Sequence, residues 1–76
     1  MIQNRKEAMT LETRKYTLKE LRARKNETQE QTARALGISP QTYNAWERDI
    51  SNVGISKVAA VASHFGVALE DIFFTV

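Results

Sequence analysis

The spacing of apolar residues changes at residue 17. Before it, sizeable apolar side chains are few and form no repeating stripe, so we assign no element to residues 1–16. After it, apolar residues recur three and four positions apart, as at Val58, Val61, Ala62 and Phe65, the spacing that lays a stripe along one face of an α-helix. No segment has the alternating pattern of a strand. The pattern predicts an all-α fold with residues 17–76 as one domain.

Start and stop signals divide this region into short helices. Thr17 with Glu20, and Thr28 with Gln31, have the spacing of a capping box, in which two residues satisfy each other's free backbone N–H groups. Ser39 followed by proline is a third helix start. Left-handed exits are expected at Asn26 and Gly37, and Gly66 is expected to end the fourth helix. The predicted helices cover 18–25, 29–36, 40–48, a segment from about Ile55 to Phe65, and a last short helix near 69–73.

The third predicted helix has two dissimilar faces. Tyr43 and Trp46 share one face, and we expect them to pack in the core rather than to stack on single strands. The other positions carry short polar or small side chains, namely Gln41, Thr42, Asn44 and Ala45. Two short helices joined by a glycine-containing turn form a helix-turn-helix, and the B-DNA major groove admits one α-helix whose amide and hydroxyl groups read base edges. The sequence thus predicts DNA recognition by this helix.

Composition narrows the class of protein. The chain has 76 residues, 42% of them hydrophobic and 26% charged, which predicts one small folded domain without room for a large enclosed pocket. No cysteine and one histidine, His64, leave no basis for a disulfide or a metal site, and no catalytic cluster or cofactor motif is present. No apolar run is long enough for a membrane span or a secretory leader, so we expect a cytoplasmic protein.

Charge is distributed unevenly along the chain. Residues 1–25 contain eight Lys or Arg and three Glu, whereas residues 26–76 contain three basic and six acidic side chains. A basic segment in a chain of small net charge favours a polyanionic partner, although such segments are more often solvated surface. The asymmetry gains weight from the predicted helix-turn-helix, and we interpret residues 1–16 as a basic N-terminal arm.

The stretch from Thr17 to Phe73 resembles the Cro/C1-type helix-turn-helix proteins, the XRE or phage repressor-like family. The matching positions are Leu21-Arg22, Thr28-Gln29, Ala33, Gly37, Ser39, Trp46-Glu47-Arg48, Ala62 and Gly66-Val67. The resemblance implies a five-helix lambda-repressor-like domain that binds double-stranded DNA. The sequence departs from the family at three places. It has Asp49 where glycine is usual, a loop at 50–53 without the basic residues that are often found there, and Thr32 where leucine is common.

The resemblance also implies roles for individual residues. The base-reading face would be Pro40, Gln41, Thr42, Asn44 and Ala45. Gln29 would contact a phosphate and brace Gln41, and Ser39 would lie beside the DNA backbone. Because the loop 50–53 lacks the usual basic charge, we expect the other phosphate contacts to come from Arg14, Lys15, Lys25 and Arg48 and from backbone N–H groups near Ser56. Arg22 and Glu47 would form an ion pair that fixes the recognition helix without touching DNA.

Several functions remain open at this stage. We expect a homodimeric repressor that acts by occupying its operator, with Phe73, Phe74 and Val76 as candidates for the dimer interface; these residues could equally complete the core of a monomer. The alternative is the antitoxin of a toxin–antitoxin pair, which binds a toxin and autoregulates its operon. A third alternative is a degenerate domain used for protein contacts alone.

Overall fold

The fold, seen in a computed structural model that describes residues 15–72, consists of four α-helices and one 3₁₀ turn. The helices are α1 (Leu18–Lys25), α2 (Gln29–Leu36), α3 (Pro40–Arg48) and α4 (Ile55–Phe65), and the 3₁₀ helix is Leu69–Asp71. The all-α prediction is confirmed, and so are the predicted bounds of the first three helices. The fifth predicted helix is a single 3₁₀ turn rather than an α-helix, and Phe73 lies outside the described residues.

Local side-chain chemistry explains where the helices begin and end. Thr17 Oγ1 accepts the Glu20 N–H at 3.1 Å, and Glu20 Oε1 accepts the Thr17 N–H at 2.9 Å, which completes a capping box. Thr28 forms the same box with its partner three residues later. Asn26 and Gly37 end α1 and α2 with φ of 60° and 73°, the left-handed conformation that asparagine and glycine tolerate best. These caps keep α1 and α2 short and set the turn that follows each of them.

The core lies where the four helices meet. Its buried hydrophobic residues are Leu18, Leu21, Ala33, Tyr43, Ile50, Val58, Val61, Ala62 and Ile72. Trp46, Leu36 and Phe65 pack against this cluster and are half-buried. Tyr43, on the inner face of α3, is fully buried. The core therefore holds α3 by one face and leaves its other face outside.

Residues 15 and 16, which we assigned to the arm, contact the C-terminal segment. Tyr16 forms an isolated parallel bridge with Ile72, and its N–H donates to the Asp71 carbonyl at 2.8 Å. Lys15 Nζ donates to the Glu70 carbonyl. The packed unit thus extends at least two residues further toward the N-terminus than the capping signal at Thr17 indicated. In residues 15–72, no helix is long and apolar enough to cross a membrane.

Candidate nucleic-acid interface

The outer face of α3 carries the residues predicted to read bases. Pro40, Gln41, Thr42 and Ala45 are exposed, whereas Asn44 is half-buried. The Gln41 amide makes no hydrogen bond within residues 15–72, so its donor and acceptor are both available to a ligand. Because Tyr43 anchors the opposite face, these side chains are presented by a helix whose orientation is fixed by the core.

Ser39 determines how α3 begins. Its Oγ accepts the Thr42 N–H at 3.1 Å and donates to Thr42 Oγ1 at 2.9 Å. The Ser39 hydroxyl proton is therefore already used inside the helix start. If Ser39 donated this hydroxyl proton to a phosphate, its bond to Thr42 would have to break.

The structure contains the ion pair between α1 and α3 that the resemblance implied. Arg22 Nε lies 2.5 Å from Glu47 Oε2, and the two side chains are 19% and 6% exposed. A second guanidinium nitrogen of Arg22 donates to the Glu27 carbonyl at 2.9 Å, which ties the same side chain to the loop before α2. The pair thus joins α1, the α1–α2 loop and α3 at one point.

Electrostatics keep this pair ionised. Burial alone would raise the pKa of Glu47, but hydrogen bonds from Arg22 and Gln29 outweigh burial and hold it below the usual value. The hydrogen bond to Glu47 raises the pKa of Arg22 above its usual value. The buried Tyr43 hydroxyl lies beside both groups without the geometry of a hydrogen bond, and burial, reinforced by the Glu47 carboxylate, raises its pKa. All three groups therefore keep their usual charge states near neutral pH.

Gln29, at the start of α2, is held differently from our expectation. Its Nε2 donates to Glu47 Oε1 at 2.9 Å, and its Oε1 accepts from Asn44 Nδ2 at 3.1 Å. The Gln29 amide is therefore bonded to Glu47 and Asn44 in this structure rather than to Gln41. Asn44 lies one turn from Gln41 on α3 and also carries an amide. The sequence alone therefore does not indicate which of these two amides contacts Gln29.

The remaining phosphate-contact candidates are scattered. Arg48 is exposed at the end of α3 and forms no ion pair within residues 15–72. Lys25 lies 3.8 Å from a Glu27 carboxylate oxygen, and Lys15 is bonded to the C-terminal segment. Ser56 is exposed in the first turn of α4, where the Gly54 cap supplies no side-chain hydrogen bond, so the first backbone N–H groups of this helix lack an acceptor there. Arg14 lies outside the described residues.

A polar cluster that the sequence analysis missed joins α2, the loop before it and α4. The fully buried Thr32 donates its hydroxyl to Glu27 Oε1 at 2.7 Å, and His64 Nε2 lies 2.8 Å from the same oxygen. Thr32 can replace the leucine common in the resembled family because its hydroxyl is paired. Among residues 15–72, no group of three or more potential metal ligands exists, and the partner of His64 is the Glu27 carboxylate.

The predicted dimer-interface residues belong to the C-terminal end of the sequence. Phe73, Phe74 and Val76 lie outside the described residues.

Ile55, in the first turn of α4, is a large apolar side chain that the sequence analysis did not select. It is 64% exposed. Ile55 lies three residues before Val58 and seven before Ala62, so helical spacing alone places it at the edge of the buried stripe and does not reveal its exposure.

Comparisons with known proteins agree with this geometry. A family model described as helix-turn-helix matches residues 18–72. An uncharacterized HTH-type transcriptional regulator of Methanocaldococcus jannaschii is 42% identical over 59 residues, which cover 78% of this chain and 89% of that protein. No solved structure matches the chain significantly.

Proposed function

Because this chain belongs to the helix-turn-helix family of DNA-binding transcriptional regulators, we propose that it is a repressor that acts by occupying a specific operator in double-stranded DNA. The observation that carries the proposal is the exposed face of α3, with Gln41 and Thr42 free of the core and Tyr43 anchored in it. In this proposal, Gln41 pairs with an adenine edge in the major groove, and Thr42 and Ala45 contact neighbouring bases.

Phosphate contacts position the protein on the duplex. The start of α2 with Gln29, the start of α3 with Ser39 and the start of α4 with Ser56 supply N–H groups, and Arg48 supplies a free charge. Lys25, Lys15 and Arg14 add positive charge from α1 and the N-terminal arm. We propose residues 1–16 as this arm, although Lys15 and Tyr16 pack on the domain itself.

Assembly and cellular location are part of the same proposal. A cytoplasmic homodimer would place two copies of α3 in successive major grooves about 34 Å apart, and residues after Ile72 would contribute to the contact between copies. A palindromic binding site would support this arrangement. Co-purification of a small protein in equal amount from the native cell would instead favour the antitoxin alternative.

Selection of bound sequences from a random duplex pool tests the proposal. We expect the full chain to enrich one sequence and the double variant Gln41→Ala/Thr42→Ala to lose that enrichment while retaining its helicity. Asn52→Ala is the matched control, because Asn52 is exposed in the loop before α4. Equal retention of all duplexes by the unaltered chain would refute sequence-specific binding.

A further inference from the structure

Asn44 occupies a position unlike that of its neighbours on α3. Gln41, Thr42 and Ala45 are exposed, but Asn44 is half-buried at the edge of that face, with its amide turned toward α2. Its Nδ2 donates to Gln29 Oε1 at 3.1 Å. This bond fixes the orientation of the Asn44 amide, and turning the amide toward a base would break the bond and leave the half-buried Gln29 oxygen without its partner, which is unfavourable.

The ion pair fixes the orientation of both amides. The Glu47 carboxylate is ionised and accepts hydrogen bonds without donating any, so Gln29 must direct its NH₂ group to Glu47. The Gln29 carbonyl oxygen then faces the other way, and Asn44 must offer its own NH₂ group to it. A continuous hydrogen-bonded chain therefore runs from Arg22 through Glu47 and Gln29 to Asn44.

This chain joins the start of α2 to the middle of α3. Gln29 is the first residue of α2, and Asn44 and Glu47 lie one turn apart on α3. The two α3 side chains hold the Gln29 amide from both sides, which fixes its rotamer and sets α2 against α3. An amide held in this way is ready to meet a phosphate without losing rotamer freedom on binding.

We propose that Asn44 is a positioning residue for DNA binding, which acts through Gln29, and that base selection falls to Gln41, Thr42 and Ala45. The inference rests on the proposed function and departs from two roles that the resemblance implied, that Asn44 reads a base and that Gln29 braces Gln41. Loss of Asn44 removes one hydrogen bond that orders the interface, so binding weakens on every duplex while the preferred bases stay the same.

The test measures affinity and base preference separately. The duplex enriched by the unaltered chain, and its set of single base-pair substitutions, are titrated with Asn44→Ala, Gln41→Ala and the control Asn52→Ala at a temperature where circular dichroism shows each variant to be folded. We expect Asn44→Ala to weaken binding to all duplexes by about threefold to tenfold, the worth of one hydrogen bond. Gln41→Ala should instead relax preference at one base pair. Asn44→Ser replaces Asn44→Ala if the latter does not fold.

A double-mutant cycle separates positioning through Gln29 from a general structural effect. In the Gln29→Ala background, Asn44→Ala should cause almost no further loss of affinity, because the bond through which it acts is already absent. An equal loss in both backgrounds, an unchanged affinity, or a changed base preference for Asn44→Ala would each overturn the inference and leave the proposed function intact. An unaltered chain that enriches no duplex would refute the proposed function and the inference with it.

Discussion

Replacing Glu47 by glutamine tests how the recognition helix is held. The substitution keeps the shape of the side chain but removes the charge that faces Arg22, whose side chain is only 19% exposed. Removal of one member of a fully buried pair costs about 3–5 kcal/mol, and a hydrogen bond to a charged group is worth about 1.5–3 kcal/mol. Because Arg22 keeps some solvent contact and its bond to the Glu27 carbonyl, we expect a loss of about 2–3 kcal/mol in the free energy of unfolding.

Thermal denaturation followed by circular dichroism measures this loss. For a domain of this size, each kcal/mol lowers Tm by about 4–8 °C, so Glu47→Gln should melt about 10–20 °C lower than the unaltered chain. Glu30→Gln is the matched control, because Glu30 is exposed in the first turn of α2 and its charge is worth about 0.3–1 kcal/mol there. If the two variants had the same Tm, the ion pair would contribute nothing to holding α3 and the reasoning would be refuted.

Three further predictions concern acid stability, capping and salt dependence. Burial alone would raise the pKa of Glu27, but hydrogen bonds with His64 and Thr32 hold the pKa below its usual value. The ionised Glu27 carboxylate should therefore stabilise the fold above about pH 4.5, and this stabilisation should be lost as pH falls through the lowered pKa. In urea denaturation at a series of acidic pH values, the free energy of unfolding of Glu27→Gln should fall less steeply with decreasing pH than that of the unaltered chain. Thr28→Ala removes the cap of α2 and should lower Tm by about 4–8 °C; an unchanged Tm would contradict the importance of the cap. Arg48→Ala should reduce the slope of log affinity against log salt by about 0.9, as measured by fluorescence anisotropy, and an unchanged slope would exclude a phosphate contact at Arg48.

Local signals explain why so much of the helix pattern could be predicted. Thr17, Thr28 and Ser39 are followed three residues later by groups that complete a cap, and Asn26 and Gly37 are the residue types that exit a helix in the left-handed conformation. Each signal depends on contacts within a few residues, so the sequence contains all of the information. The segment around Leu69–Asp71 does not begin with a serine or threonine cap. It forms a 3₁₀ turn, whereas the apolar spacing alone indicated another α-helix.

Contacts between distant residues could not be predicted in the same way. Ile50 lies in a loop that we considered only for its lack of basic charge, yet it is 4% exposed in the core. Thr32 is paired with a loop residue five positions away, and Asn44 with a residue fifteen positions away. The Arg22–Glu47 pair was foreseen because the resemblance implied it, since nothing in the spacing of two charged residues 25 positions apart indicates a contact.

The geometry of α3 on DNA is tested most directly by the structure of the chain bound to the duplex that it enriches. We expect α3 to lie in the major groove with the Gln41 amide about 3 Å from a base edge and Asn44 still bonded to Gln29. A complex in which α3 faces away from the duplex, or in which Gln41 contacts no base, would contradict the account.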